Sequence, residues 1–232
     1  MTTINNFIDI NTLFLTWQSD NERNHRYFVG VINKITYDSY SFTYLVNTSD
    51  YDKAISLGFK GYPAFKLSND IFTNEVLESF RKRLPPKSRR DFSKYLQQHN
   101  LPTDFSGDDF QLISHTGIQL PSDGFDLVPD LSEAEVPFDY VTELAGTRYY
   151  KTYDEVAEID LGSNVTLIRE DCNKKDPQAI CVEYRGKKIG YINRLLCPTL
   201  RTLMIDKSIT CAIVKKSGTE DRPLLYVLIS AR

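Results

Sequence analysis

Histidine, cysteine and tryptophan are scarce in this chain of 232 residues, at three, four and one. The histidines, His25, His99 and His115, all precede the cysteines Cys172, Cys181, Cys197 and Cys211, which have 8, 15 and 13 residues between them. Structural zinc sites bring their ligands in close pairs, so the lack of any CxxC speaks against a metal centre. Cys181 and Cys211 lie in apolar alternating runs and read as small buried hydrophobes. No apolar run approaches the 18 residues of a membrane span. The start, MTTINN, has neither the basic stretch nor the apolar core of a secretory signal. A soluble, cytoplasmic protein is the expectation, and disulfides are not expected there.

Catalytic motifs are missing as well. There is no G-x-S-x-G, no glycine-rich phosphate loop and no kinase-type catalytic Asp/Asn segment. His115 stands between Ser114 and Thr116 without a nucleophile motif. The carboxylates Asp108, Asp109, Asp123 and Asp126 suit a metal-dependent nuclease only if loop acids are ligands, and such acids are more often solvated. The expectation is a non-enzymatic chain with no cofactor.

What the chain does contain is a globular composition, 41% hydrophobic, 12% aromatic and 25% charged, enough for a core. Its charge is divided unevenly. Residues 1–140 carry 13 basic and 19 acidic side chains, and residues 141–232 carry 15 and 12. An acidic first half and a mildly basic second half suggest two modules, with any nucleic-acid site in the second.

In the first module, residues 13–17, 27–32 and 41–45 are β-branched and aromatic segments that predict strands, with a polar turn at 18–24. Residues 50–57 predict a short helix ended by Gly58. Val76, Leu77, Phe80 and Leu84 predict a helix stopped by Pro85-Pro86. A second helix is predicted at 88–99, with Phe92, Tyr95 and Leu96 on one face. Residues 102–139 are poor in regular signal. We place an N-terminal α+β domain at 1–130, an acidic linker at 131–139 and a C-terminal domain at 140–232. In the latter, strands are predicted at 140–144, 164–169, 179–184, 188–192, 209–215 and 224–230. Arg185-Gly186 supplies a hairpin turn and a helix is predicted at 194–204. Six short strands and one helix suggest a small, partly open barrel.

Within that domain AGTRYY (145–150) is followed by LIREDCNKKDPQAICV (167–182) and then by GKKIGYINR (186–194). This ordered trio resembles the HIRAN domain, which occurs alone in bacteria and at the N-terminus of fork-remodelling Swi/Snf-type ATPases. The resemblance implies an OB-like barrel that captures the 3′ end of single-stranded DNA, with Arg148, Tyr149, Tyr150, Asn173, Asp176 and Arg194 in the contacting positions. The chemistry suits that task. An aromatic ring stacks a base, guanidinium groups fork onto phosphates, and a carboxylate accepts a 3′-hydroxyl while repelling a 3′-phosphate. Many relatives have an aromatic residue just before the Asp. This chain has Lys175, which exchanges a stacking partner for a phosphate contact, and Tyr191 is a substitute platform. The plainer readings stand beside these: Tyr149 and Tyr150 as ordinary strand aromatics, Asn173 and Asp176 as turn formers ahead of Pro177, and Arg169-Glu170 as a surface ion pair.

In the first module Arg81, Arg83, Lys87, Arg89 and Arg90 form a basic segment. It reads either as a secondary nucleic-acid contact or as a solvated helix end. Short stretches at 27–32, 41–45, 54–58, 62–63, Phe72 and Phe80 through RLPPKSRRDF resemble the N-terminal subdomain of HipA-family kinases. The kinase core is absent, so this likeness implies an antitoxin-like partner of a HipA-type kinase. The leading expectation is a protein that binds single-stranded DNA at free 3′-hydroxyl ends, with a protein partner such as a DNA-processing enzyme. The alternative is the antitoxin-like interaction module.

Overall fold

The computed structural model describes residues 2–20, 25–120 and 123–232. Most of the polar turn expected at 18–24 lies outside the described residues. The chain divides into two compact units, but not at one point in the sequence. One unit is Asp9–Tyr95 with Ser106–Glu133; the other is Met1–Ile8, Leu96–Phe105 and Ala134–Arg232.

The first unit is built on strands β1 (Thr12–Trp17), β2 (Tyr27–Thr36) and β3 (Ser39–Tyr44) and helices α1 (Ser49–Ser56) and α2 (Val76–Arg81). Helix α3 (Phe92–Gln98) includes the point in the sequence, Tyr95/Leu96, at which the two units divide. Two elements fall where regular signal was poor: α4 (Asp109–Thr116) and β4 (Asp126–Pro129). The sheet is antiparallel, in the order β3-β2-β1-β4, and Leu13, Leu15, Val29, Ile32 and Phe42 are inaccessible to solvent. Aromatic rings fill the space beside it: Tyr62 lies 4.4 Å from Phe80, and Phe42 lies 4.7 Å from Phe65. Helix α2 ends four residues before Pro85, since Arg83 and Leu84 donate to the Phe80 and Arg81 carbonyls in tighter turns.

The second unit contains β5 (Phe138–Glu143), α5 (Tyr153–Ala157), β6 (Thr166–Arg169), β7 (Ile180–Tyr184), β8 (Lys187–Tyr191), α6 (Cys197–Asp206), β9 (Ile209–Thr219) and β10 (Arg222–Ala231). All six predicted strands are present. They form two three-stranded antiparallel sheets, β5-β10-β9 and β6-β7-β8, and not a closed barrel. Isolated bridges, Ala145↔Tyr191 and Asn164↔Ala212, join the sheet margins. The hairpin between β7 and β8 turns on Arg185 and Gly186, both at positive φ (50° and 74°), as a tight two-residue turn requires. Cys181, Cys197 and Cys211 are buried, Cys172 is exposed, and all four are free thiols.

The expected division at 131–139 differs from this arrangement at both ends. Leu131 is buried, and Glu133 accepts from Asn11 N and Thr12 Oγ1 at 2.6 Å, which ties the supposed linker into the first unit. Residues 1–8 and 96–105 belong to the second unit, where Ile4 N donates to Asn100 O at 2.7 Å and Phe7 meets Phe105 edge-on at 5.1 Å. Single apolar residues spaced by polar ones gave no periodic signal for these contacts. Among the described residues no helix is long and apolar enough to cross a membrane.

Candidate nucleic-acid interface

Three segments of the second unit form one surface. The first is the turn of 3-10 helix Thr147–Tyr149 that follows β5. Tyr149 and Tyr150 therefore lie outside the strands, 67% and 38% exposed, so the strand-aromatic reading does not hold. Arg148 sits with its guanidinium 4.9 Å from the Tyr149 ring centroid and donates to the Tyr149 hydroxyl at 2.8 Å. This turn is fastened to β8 by reciprocal backbone bonds between Ala145 and Tyr191, at 2.8 and 2.9 Å. Gly190 makes that approach possible: a Cβ there would stand 3.0 Å from the Ala145 carbonyl oxygen.

The second segment is the loop between β6 and β7. Glu170 N donates to Ala179 O and Ala179 N to Asp176 O, each at 3.0 Å, closing its neck. Asn173 Oδ1 accepts from Lys175 N (2.9 Å) and Asp176 N (3.3 Å), and Asp176 Oδ1 accepts from Gln178 N (2.8 Å). The turn-forming roles of Asn173 and Asp176 are thus realised. Lys175 projects from this loop, exposed.

The third segment is β8. A register shift opposite Val182/Glu183 pairs Lys188 with Glu183 and Tyr191 with Cys181, leaving Ile189 as an extra residue. In a regular strand residues 188 and 191 face opposite sides; the bulge puts Lys188 and Tyr191 on the same side. Lys188 Nζ donates to Glu170 Oε1 at 2.6 Å and to the Tyr191 hydroxyl at 2.9 Å. Tyr191 in turn donates to Glu170 Oε2 at 3.0 Å, and Asn173 Nδ2 reaches the same oxygen at 2.8 Å. The ammonium also lies 4.8 Å from the Tyr191 ring and 5.6 Å from the Tyr150 ring, and the two rings meet edge-on at 6.0 Å. The hydrogen bond from Lys188 holds the Glu170 carboxyl below its usual range, and the same contact raises the Lys188 ammonium.

Sequence reasoning therefore placed Tyr150, Asn173 and Tyr191 together but missed Lys188 and assigned Glu170 the wrong partner. Arg169 pairs with Asp171 at 3.7 Å instead. Glycine inside a predicted strand is the signal that marks such a bulge. Arg194 lies beyond β8, in the turn entering α6, with its carbonyl accepting from Cys197 N at 3.3 Å. Burial raises the Cys181 and Cys197 thiols to about 11, so neither supplies a thiolate at neutral pH.

In the first unit, the basic segment is engaged by its own acids. Asp109 pairs with Arg81 (2.5 Å) and Lys87 (2.9 Å), and Asp91 pairs with Arg89 (2.5 Å). Arg83 binds Asp123 and lies 5.2 and 5.4 Å from the Tyr62 and Phe125 rings, with only 10% of its side chain exposed. Arg90 remains exposed. The acids considered for a metal have other duties as well: Asp108 caps α4 and pairs with Lys34, and Asp126 accepts from Ile118 N and Leu127 N. Among the described residues no cluster of three or more metal-ligating side chains occurs.

The family model of the HIRAN domain matches residues 137–230, which include every residue of this surface. Two solved structures are similar: the HIRAN domain of human HLTF and a protein from Lactobacillus plantarum. The first is 20% identical over 40% of this chain and 74% of its own, with a TM-score of 0.33. The second is 22% identical over 40% and 99%, with a TM-score of 0.32. Comparison with curated proteins gave no match. The chain carries a HIRAN domain, a type known for binding DNA, at residues 137–230. The match does not reach the stretch that resembles the HipA subdomain.

Proposed function

We propose that this chain binds single-stranded DNA through its HIRAN domain and captures a free 3′-hydroxyl end, acting by binding and without a catalytic step of its own. The observation that carries this reading is the exposed Tyr149 ring with Arg148 against it, beside the cationic Tyr150–Tyr191 pair. A base stacks on an aromatic face whatever its identity, and each adjacent cation meets one backbone phosphate. Few phosphates are engaged, so an overall formal charge of −3 is no obstacle. Asp176 spends Oδ1 on Gln178 N, and Oδ2 is left to accept a terminal hydroxyl. A terminal phosphate in that place would meet like charge.

Fluorescence anisotropy with labelled single strands ending in 3′-hydroxyl or 3′-phosphate tests this. Tighter binding of the hydroxyl strand, with the preference lost in Asp176→Ala, is the expected result. Equal affinity for both would refute end capture, and no binding to either would refute the DNA reading.

A further inference from the structure

Glu170 is an unusual neighbour for a phosphate-binding cation. Its carboxylate collects donors of three kinds: the Lys188 ammonium (2.6 Å), the Tyr191 hydroxyl (3.0 Å) and the Asn173 amide (2.8 Å). An ammonium, a phenol and an amide converging on one anion are also what a phosphate oxygen needs. We infer that Glu170 is an internal stand-in occupying a phosphate site, and that an incoming phosphate must displace its carboxylate from Lys188, Tyr191 and Asn173. This deepens the DNA-binding reading, on which it rests for the source of the phosphate.

The structure makes the exchange cheap. Lys188 and Glu170 side chains are 28% and 26% exposed, so water can solvate both charges as they part. The loop does not need the carboxylate for its shape, because Glu170 N to Ala179 O closes its neck through the backbone. Asn173 keeps its place once Glu170 leaves, since its Oδ1 is anchored by Lys175 N and Asp176 N. Lys188 is held by the Tyr191 hydroxyl and by the two ring faces. The donors are therefore preorganised, and only the glutamate side chain has to rotate away. Until it does, its charge repels any phosphate that approaches Lys188. Glu170 thus fills the site when the surface is empty and competes for it when nucleic acid arrives.

The deciding experiment is an NMR titration of the full chain with inorganic pyrophosphate, following the Lys188 side chain and the Asn173 amide. In Glu170→Gln these resonances are expected to move at several-fold lower pyrophosphate than in the wild type, and adding Lys188→Gln should abolish the gain. Should Glu170→Gln disturb the fold, Glu170→Asp withdraws the carboxylate by one methylene and is expected to show a smaller gain. An equal or weaker response in the variants would overturn the inference. Anisotropy with a single-stranded oligonucleotide separates this from the DNA reading. There Glu170→Gln should bind several-fold more tightly at low salt, with an unchanged log–log salt slope, because the same phosphate is engaged in both proteins. A pyrophosphate gain without any DNA binding would leave the anion site standing and remove DNA as its ligand. DNA binding without a pyrophosphate gain would do the reverse.

Discussion

The Asp139 carboxylate accepts the backbone N–H of Asn6 at 3.0 Å, joining the amino-terminal segment to β5. The same carboxylate receives Asn5 N, Asn6 Nδ2, Ser230 Oγ and the Arg232 guanidinium. One acid thereby joins residues 5–6 and 230–232 to β5. Burial alone would raise this carboxyl, but the bonds from Ser230, Arg232 and the two backbone amides outweigh it and bring the group from 3.8 to about 2.

A depressed carboxyl contributes stability that is present above its ordinary range and lost as the pH falls. The chain is expected to lose stability between about pH 4 and pH 2 in denaturant titrations. Asp139→Asn should flatten that part of the profile and cost about 2–4 kcal/mol at neutral pH, because several donors lose their acceptor. An unchanged acid limb in the variant would remove Asp139 from this role.

Leu101, in the segment 96–105, is 2% exposed within the second unit, and Ile4 is 1% exposed. Leu101→Ala is expected to destabilise by about 2–5 kcal/mol, as cavities in well-packed cores do. A fragment limited to residues 134–232 should unfold at lower urea than the intact chain. Equal stability of the fragment would show that the two outlying segments are dispensable.

Gly190 has a φ of 156°, and its missing Cβ would press on Ala145 O, Leu144 Cβ and Thr147 Oγ1. Gly190→Ala is expected to cost about 1–3 kcal/mol and to loosen the 3-10 turn bearing Arg148 and Tyr149. Loss of amide protection at Ala145 and Tyr191 in hydrogen exchange would record it.

The basic segment of the first unit separates two effects. Arg89→Ala and Arg90→Ala are expected to leave single-strand affinity within about twofold, since both are exposed in the turn ahead of α3 and Arg89 already pairs with Asp91. Arg83→Ala should instead lower the melting temperature, since it strips a half-buried cation from Asp123 and from two aromatic faces. A large loss of DNA affinity in the Arg89 or Arg90 variants would make this segment a genuine contact.

Much of this fold is legible in the sequence where periodicity is strong. The six strands of the second unit announce themselves by alternation, and Arg185-Gly186 marks its hairpin. The barrel inferred from them is not closed, because strand count does not fix how sheet edges meet. Helix α4 and strand β4 were hidden by acids that read as loop chemistry: Asp108 is in fact an N-cap, and Asp126 bonds neighbouring backbone amides. At the site, the motif located Arg148, Tyr149, Tyr150, Asn173 and Asp176 on one module. Lys188 escaped notice because a simple period of two puts it on the face opposite Tyr191, and only the bulge reverses this. The partnership of residues 1–8 with β5 had no local signature, since it depends on contacts more than 130 residues apart.

The most direct test of DNA binding at this surface is an anisotropy titration of one labelled single strand at two salt concentrations with the wild type, Arg148→Ala and Tyr149→Ala. The expected result is salt-sensitive binding by the wild type. Tyr149→Ala should lose about 1–3 kcal/mol in affinity at both salt concentrations. Arg148→Ala should lose affinity together with about 0.7 of the salt slope. Wild-type affinity in both folded variants would place the DNA elsewhere and contradict the interface described here.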